Sequence, residues 1–213
     1  IGENAKDCAN TEDVYLDMMK VSYLAQSFGG EHQMTAEQIH FVDSWESHRP
    51  HFKTAGKGRI ENKVFIVTGA AQGFGKGIAE ELYKEGATII IADMNVPLAE
   101  SVAQEMGERV WAIAVNVADE ESVANMVAQV VEKFGGLDIM VANAGVVRSG
   151  PIASFEQKDF EFVTAINYTG LFLCAKYASI IMQAQHEADP TAMFDIIAMS
   201  SKSGLEGSNK NFA

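Results

Sequence analysis

Residues 64–75 constrain this chain more than any other stretch. Val64-Phe65-Ile66-Val67 is a short, unbroken apolar run, the pattern of a strand buried on both faces. Thr68-Gly69-Ala70-Ala71-Gln72-Gly73-Phe74-Gly75 follows and opens directly into a helical pattern. Gly69 permits a tight turn at positive φ. Gly73 lets the backbone approach a ligand closely, and Gly75 lets the helix pack tightly on the sheet. The unpaired amides of the helix start and the positive end of its dipole attract phosphate. A glycine turn alone is bland. The strand–loop–helix setting makes this one a dinucleotide-binding signature.

From Arg59 onward strands and helices alternate. The spacing predicts helices over 75–84, 96–106 and 120–134, and one or two more over 155–185. Pro97 is tolerated in a first helical turn, and Gly135-Gly136 closes the helix before it. Further strands are predicted over 88–92, 110–115, 138–142 and 194–199. Helices of this length between strands imply right-handed crossovers and a doubly wound parallel α/β sheet. Such a sheet places its ligands just beyond the carboxyl ends of its strands.

Residues 1–57 are different: polar, helical in character and without a strand signal. Thr35-Ala36-Glu37-Gln38 reads as a capping box. Ile39, Val42 and Trp45 then recur near helical spacing. The stretch 54–58 reads as a linker. The expected division is a helical extension over 1–57 and a nucleotide-binding domain over 58–213.

Composition sets limits. With 213 residues and 47% apolar content, the chain can bury a sizeable core. A formal net charge of −13 argues against nucleic acid as a partner. No apolar run in the sequence is long enough to span a bilayer, so no membrane role is expected. Cys8 and Cys174 do not make a disulfide framework, and no His/Cys cluster suggests zinc, so no metal is expected. Cys174 lies in an apolar helical stretch and reads as a small core residue. A cytoplasmic location is the default.

Asp93 ends the second strand about 20 residues past the glycine loop, where a carboxylate meets the adenosine ribose hydroxyls. It would repel a 2′-phosphate. Gln72 offers no cation for that phosphate, and Lys76 starts the helix and is expected to face solvent. NAD is therefore favoured over NADP.

The spacing Gly69-x-x-x-Gly73-x-Gly75 resembles the short-chain dehydrogenase/reductase family, and the match continues in order along 59–213. Asn143-Ala144-Gly145 is similar to that family's turn beside the cofactor. Asn167 in Ile166-Asn167-Tyr168 is similar to its active-site Asn. Ser200-Ser201-Lys202-Ser203-Gly204 is similar to its serine segment, with Ser201 the catalytic one. The resemblance implies a Rossmann fold, NAD as cofactor and a homo-oligomer, dimer or tetramer. It implies cofactor contacts from Gly69, Gln72, Gly73, Phe74 and Gly75, from Asp93 and Met94, from Asn116 and Val117, and from Asn143, Ala144 and Gly145. Where the family often has Asp, this chain has Asn116, which can still hydrogen-bond.

The family also uses a Tyr-x-x-x-Lys pair. Counting from Ser201, that tyrosine falls one position beyond Ala213, so the expected domain is incomplete at its C-terminal side. In the family, tyrosinate removes the alcohol proton as hydride leaves for the nicotinamide. Without the pair, Ser201 and Asn167 orient but do not move the proton, and the 213-residue chain is expected to have no dehydrogenase activity alone. Each residue also has a plain reading. Ser200 and Ser201 alone would be a strand-end turn, and Asn167 a helix-bending polar residue. Lys202, Ser203 and Arg148 would reach a phosphorylated substrate or simply be solvated.

Residues 1–57 resemble the tail of a class II aldolase domain in bacterial aldolase/short-chain dehydrogenase fusions of rhamnose-type sugar catabolism. The serine segment is similar to sorbitol-6-phosphate dehydrogenases. Both point to a small sugar-derived alcohol or aldehyde as substrate. His32, His40, His48 and His51 are read as exposed or capping residues rather than zinc ligands. The open alternatives are a lyase–dehydrogenase fusion and a non-catalytic NAD-binding module.

Overall fold

The computed structural model describes residues 5–26, 35–37 and 60–201. Helix α1 spans Ala5–Ala25 and contains neither Gly nor Pro, with Tyr15, Met18, Met19 and Tyr23 exposed. Ala36 and Glu37 are helical after Thr35, where the capping box places a helix start; Gln38, the stripe Ile39, Val42 and Trp45, the linker 54–58 and the four early histidines lie outside the described residues.

The remaining elements run β1 (Val64–Thr68), α2 (Gly73–Lys84), β2 (Thr88–Asp93), α3 (Val96–Met106), β3 (Val110–Ala114), α4 (Glu120–Phe134), β4 (Ile139–Ala142), α5 (Gln157–Val163), α6 (Gly170–Ala188) and β5 (Asp195–Ala198). The five strands form one sheet in the order β3-β2-β1-β4-β5, every pairing parallel. The direction of winding reverses between β1 and β4, which is the topological switch point of such a sheet.

Alternation along each central strand assigns residues to opposite faces. Val64 and Ile66 of β1 and Ile90 and Ala92 of β2 pack with Val123, Met126, Val127 and Val130 of α4 and with Leu173, Cys174 and Ala178 of α6. Phe65 and Val67 of β1 and Ile89 and Ile91 of β2 pack with Ala79 of α2 and Ala99 and Val102 of α3. Both faces are therefore covered, which is why β1 reads as a continuous apolar run rather than an alternating one. At the amino end of the sheet the Asp138 carboxylate accepts from Lys63 Nζ at 2.7 Å and from Val64 N–H at 2.8 Å, tying β4 to β1.

The long helical region, expected as one or two helices, is a single continuous run. α5 and α6 are continuous through a wider π-helical segment, Thr164–Thr169. Among the described residues, the resulting run 157–188 does have the length and apolar composition of a membrane span. In this structure Leu173, Cys174, Ala178 and Met182 of that run are buried within the protein. Burial pushes the Cys174 thiol up to about 11. Cys174 is accordingly expected to resist thiol reagents at neutral pH until the protein is unfolded. Rapid labelling of Cys174 in the native protein would contradict its burial.

Candidate functional site

Three connections meet at the carboxyl ends of the central strands. The first is the glycine loop. Gly69 has φ of 65°, and a Cβ there would meet Ala144 Cα at 2.9 Å. Gly75 is more tightly enclosed, since a Cβ would lie 2.4 Å from Gly69 O and 2.6 Å from Asn143 Nδ2. Gly73 is the reverse case: φ is 60° and nothing lies within 4 Å, so the space over its Cα is open. The side chain of Gln72, at the N-cap of α2, makes no capping hydrogen bond. By contrast, Asn95 caps α3 through Leu98 N–H, and Asp119 caps α4 through Ser122 N–H. Gln72 therefore leaves the start of α2 uncapped by its side chain, and the space over Gly73 is open, so the positive end of the helix dipole is available to an anion.

The second connection follows β2. The Asp93 Oδ2 accepts from Ala71 N–H at 3.1 Å and Oδ1 from Asn95 N–H at 2.9 Å. The third follows β4 and is tied to β1 by Thr68. The Thr68 hydroxyl oxygen accepts from Asn143 N–H and Ala144 N–H, each at 3.0 Å, and donates to Val141 O at 3.4 Å. The Asn143 side chain donates back to Thr68 O at 2.9 Å. Asn143 thus acts as a structural tie beneath the loop.

These connections enclose a cavity of about 370 Å³, within the range of small-molecule and cofactor sites. Gly69, Gln72, Gly73, Phe74, Gly75, Asp93, Met94, Asn116, Val117, Asn143, Ala144 and Gly145 all line it, so the structure brings together the whole set named from sequence. Ala92, Val115, Val146 and Ile166 also line it and were not singled out. Val146 directly follows the Asn-Ala-Gly turn and Ile166 precedes Asn167, so adjacency was the available signal. Asp93 is the one ionisable side chain among these lining residues. Asn116 makes an Asx turn, its side-chain oxygen accepting from Ala118 N–H at 3.1 Å.

Lys76 faces solvent, where it is ion-paired. It is held by Glu105 at 3.1 Å and by Glu80 at 3.7 Å, and the Glu105 bond keeps its ammonium above the usual lysine range. Asn167 lies in the π-helical segment, and its side chain grips one backbone unit. Its Oδ1 accepts from Val146 N–H at 2.8 Å and its Nδ2 donates to Val146 O at 2.9 Å. π-helical segments recur at functional sites. Ser201 follows β5, exposed at the same carboxyl edge of the sheet, and neither it nor Asn167 lines the cavity. Arg148 lies 5.1 Å over the Phe162 ring and 3.7 Å from Asp159, which fixes the loop after β4 to α5. Lys202 and Ser203 lie outside the described residues.

Residues 63–213 match the family described as short chain dehydrogenase. The chain belongs to the short-chain dehydrogenase family. Curated relatives agree. A sorbitol dehydrogenase of Cereibacter sphaeroides is 32% identical over 149 residues, which are 70% of this chain and 56% of that protein. A galactitol 2-dehydrogenase of Agrobacterium fabrum is 36% identical over 149 residues, with the same coverage of 70% and 56%. The chain thus spans little more than half the length of these relatives. Among solved structures, a 3-ketoacyl-(acyl-carrier-protein) reductase of Brucella melitensis complexed with NADH superposes with a TM-score of 0.60 at 31% identity, covering 63% of this chain and 56% of that one. The short-chain dehydrogenase fold, an oxidoreductase scaffold, is therefore common to all of them.

Proposed function

We propose that this short-chain dehydrogenase chain binds NAD in the cavity at the switch point and contributes to hydride transfer at a CH–OH centre of a small sugar-derived alcohol or aldehyde. One observation carries the reading: a cavity with uncapped helix amides at one wall and a single carboxylate, Asp93, at the end of β2. The open cradle over Gly73 fits a pyrophosphate, and Asp93 favours an unmodified ribose over a 2′-phosphate. Bound NAD supplies the hydride acceptor. Ser201 then orients the substrate oxygen, while Asn167 holds the Val146 backbone at the cavity wall.

The names of the sorbitol and galactitol relatives support a polyol-type substrate, and the serine segment leaves a phosphorylated one open. A homo-oligomer is part of the reading on resemblance, a parent protein with an aldolase half is its alternative on the same ground, and a cytoplasmic setting is its default from cysteine usage. The sequence contains no Tyr-x-x-x-Lys pair to take the alcohol proton.

Titration of the 213-residue chain with NADH, followed by nucleotide fluorescence, is expected to saturate within the ~1 μM–1 mM range common for enzyme substrates. The same sample is expected to produce no NADH from sorbitol or galactitol. Absence of saturable binding would overturn the cofactor assignment, and turnover would overturn the view that the proton acceptor lies outside these residues.

A further inference from the structure

Asp93 does more here than face a ribose. The glycine loop is fastened to β2 at two points. Gly69 N–H donates to Ala92 O at 2.7 Å, a backbone bond that no side-chain substitution removes. Ala71 N–H donates to the Asp93 carboxylate at 3.1 Å, a bond that depends on one side chain. Ala71 is buried, so its amide has no ready alternative acceptor in water. The other Asp93 oxygen is engaged by Asn95 N–H, which orients the carboxylate at the turn into α3.

We propose that Asp93 is a positioning residue for the glycine loop, and that it couples the loop's shape to the choice between NAD and NADP. The proposal rests on the dinucleotide reading above. Removing the acid relieves repulsion of a 2′-phosphate. It also leaves the Ala71 amide without its acceptor and frees residues 70–72 to shift. The first amides of α2 follow directly on that segment and lose their alignment toward the pyrophosphate. Neutralising the charge therefore admits NADP only if an acceptor for Ala71 N–H is kept. Asp93→Asn keeps a carbonyl oxygen; Asp93→Ala keeps none.

The test combines amide hydrogen exchange of the ligand-free protein with NADH and NADPH titrations of wild type and both variants. Ala71 exchange is expected to rise about tenfold or more in Asp93→Ala, with Asp93→Asn closer to wild type. Val67 and Ile90 should stay protected in both variants, which shows that the core is intact. NADPH affinity is expected to rise more in Asp93→Asn than in Asp93→Ala, and NADH affinity to fall further in Asp93→Ala, because misaligned pyrophosphate amides weaken both dinucleotides; a gain of NADPH affinity is a readout that simple loosening of the fold would not produce. Unchanged Ala71 exchange in Asp93→Ala would overturn the anchoring. Tighter NADPH binding by Asp93→Ala than by Asp93→Asn would overturn the coupling. If wild type binds neither dinucleotide, the coupling falls with the reading it rests on, while ligand-free exchange still decides the anchoring. Should Asp93→Ala fail to fold, exchange and titration of Asp93→Asn against wild type carry the test: accelerated Ala71 exchange with no rise in NADPH affinity would overturn it.

Discussion

Gly75→Ala is expected to eliminate NADH binding and to destabilise the protein, whereas Gly73→Ala is expected to eliminate binding with a smaller loss of stability. The two glycines stand two residues apart in one loop, yet their surroundings oppose each other. A Cβ at Gly75 would press on Gly69 O at 2.4 Å and on Ala70 Cα at 2.9 Å, both backbone atoms that cannot swing away. Overpacking of this kind costs about 1–3 kcal/mol and sometimes more. It also forces apart the loop and α2, whose close approach shapes the cavity wall proposed to hold the phosphates. A Cβ at Gly73 meets nothing, but it projects into the open space over the cradle, and its φ of 60° adds a strain of about 1–2 kcal/mol. Gly77→Ala is the internal control. Gly77 is an interior position of α2 with nothing within 4 Å of a Cβ, so alanine should stabilise by about 0.5–1 kcal/mol and leave binding unchanged. Urea unfolding and NADH titration of the three variants read both quantities. Retained binding in Gly73→Ala would remove that residue from the cradle.

Thr68→Val is expected to have the second largest effect. Valine nearly matches threonine in shape but deletes the acceptor shared by Asn143 N–H and Ala144 N–H. Leaving a fully buried donor unpaired costs about 1–3 kcal/mol; Asn143 and Ala144 are half-buried, so the two losses together should lower stability by about 1–3 kcal/mol. Asn143 and Ala144 line the cavity, so NADH affinity should fall as well. Thr68→Ser, which keeps the hydroxyl, should recover most of both. Equal behaviour of the valine and serine variants would mean that the hydroxyl is not the tie between β1 and β4.

Much of this architecture was legible because its signals are local. The helices predicted over 96–106 and 120–134 have those bounds in the structure, and the second of them ends at Gly135 in the left-handed region. Strand burial followed from continuous apolar runs, the glycine loop and Asp93 followed from their places after β1 and β2, and the remaining cavity residues followed from the family resemblance. What was not legible depends on the approach of distant segments. No pattern in the sequence announces that the carboxylate of Asp93 meets Ala71, that Lys76 is drawn to Glu105 on another helix, or that Asn167 closes on Val146. The π-helical widening at 164–169 was hidden for a related reason. Its residues have ordinary helical character, and the departure accompanies the grip of Asn167 on a loop 21 residues earlier. The caps Asn95 and Asp119 were within reach of sequence rules and were overlooked, each being a side chain of capping type immediately before a helix.

The strand order has a consequence for how the molecule comes into being on the ribosome. β1, β2 and β3 emerge in the order in which they pair, so three of the five strands can assemble from neighbouring segments as they are made. β4 must instead return to the far side of β1, across the 74 residues that separate Val64 from Asp138. Closing so long a span is slower than hairpin-range pairing. Until β4 arrives, the glycine loop has formed on one side only, with Thr68 lacking its partners from Asn143 and Ala144. The nascent chain therefore completes this cavity late, once the turn after β4 has docked and Ile166 has followed it.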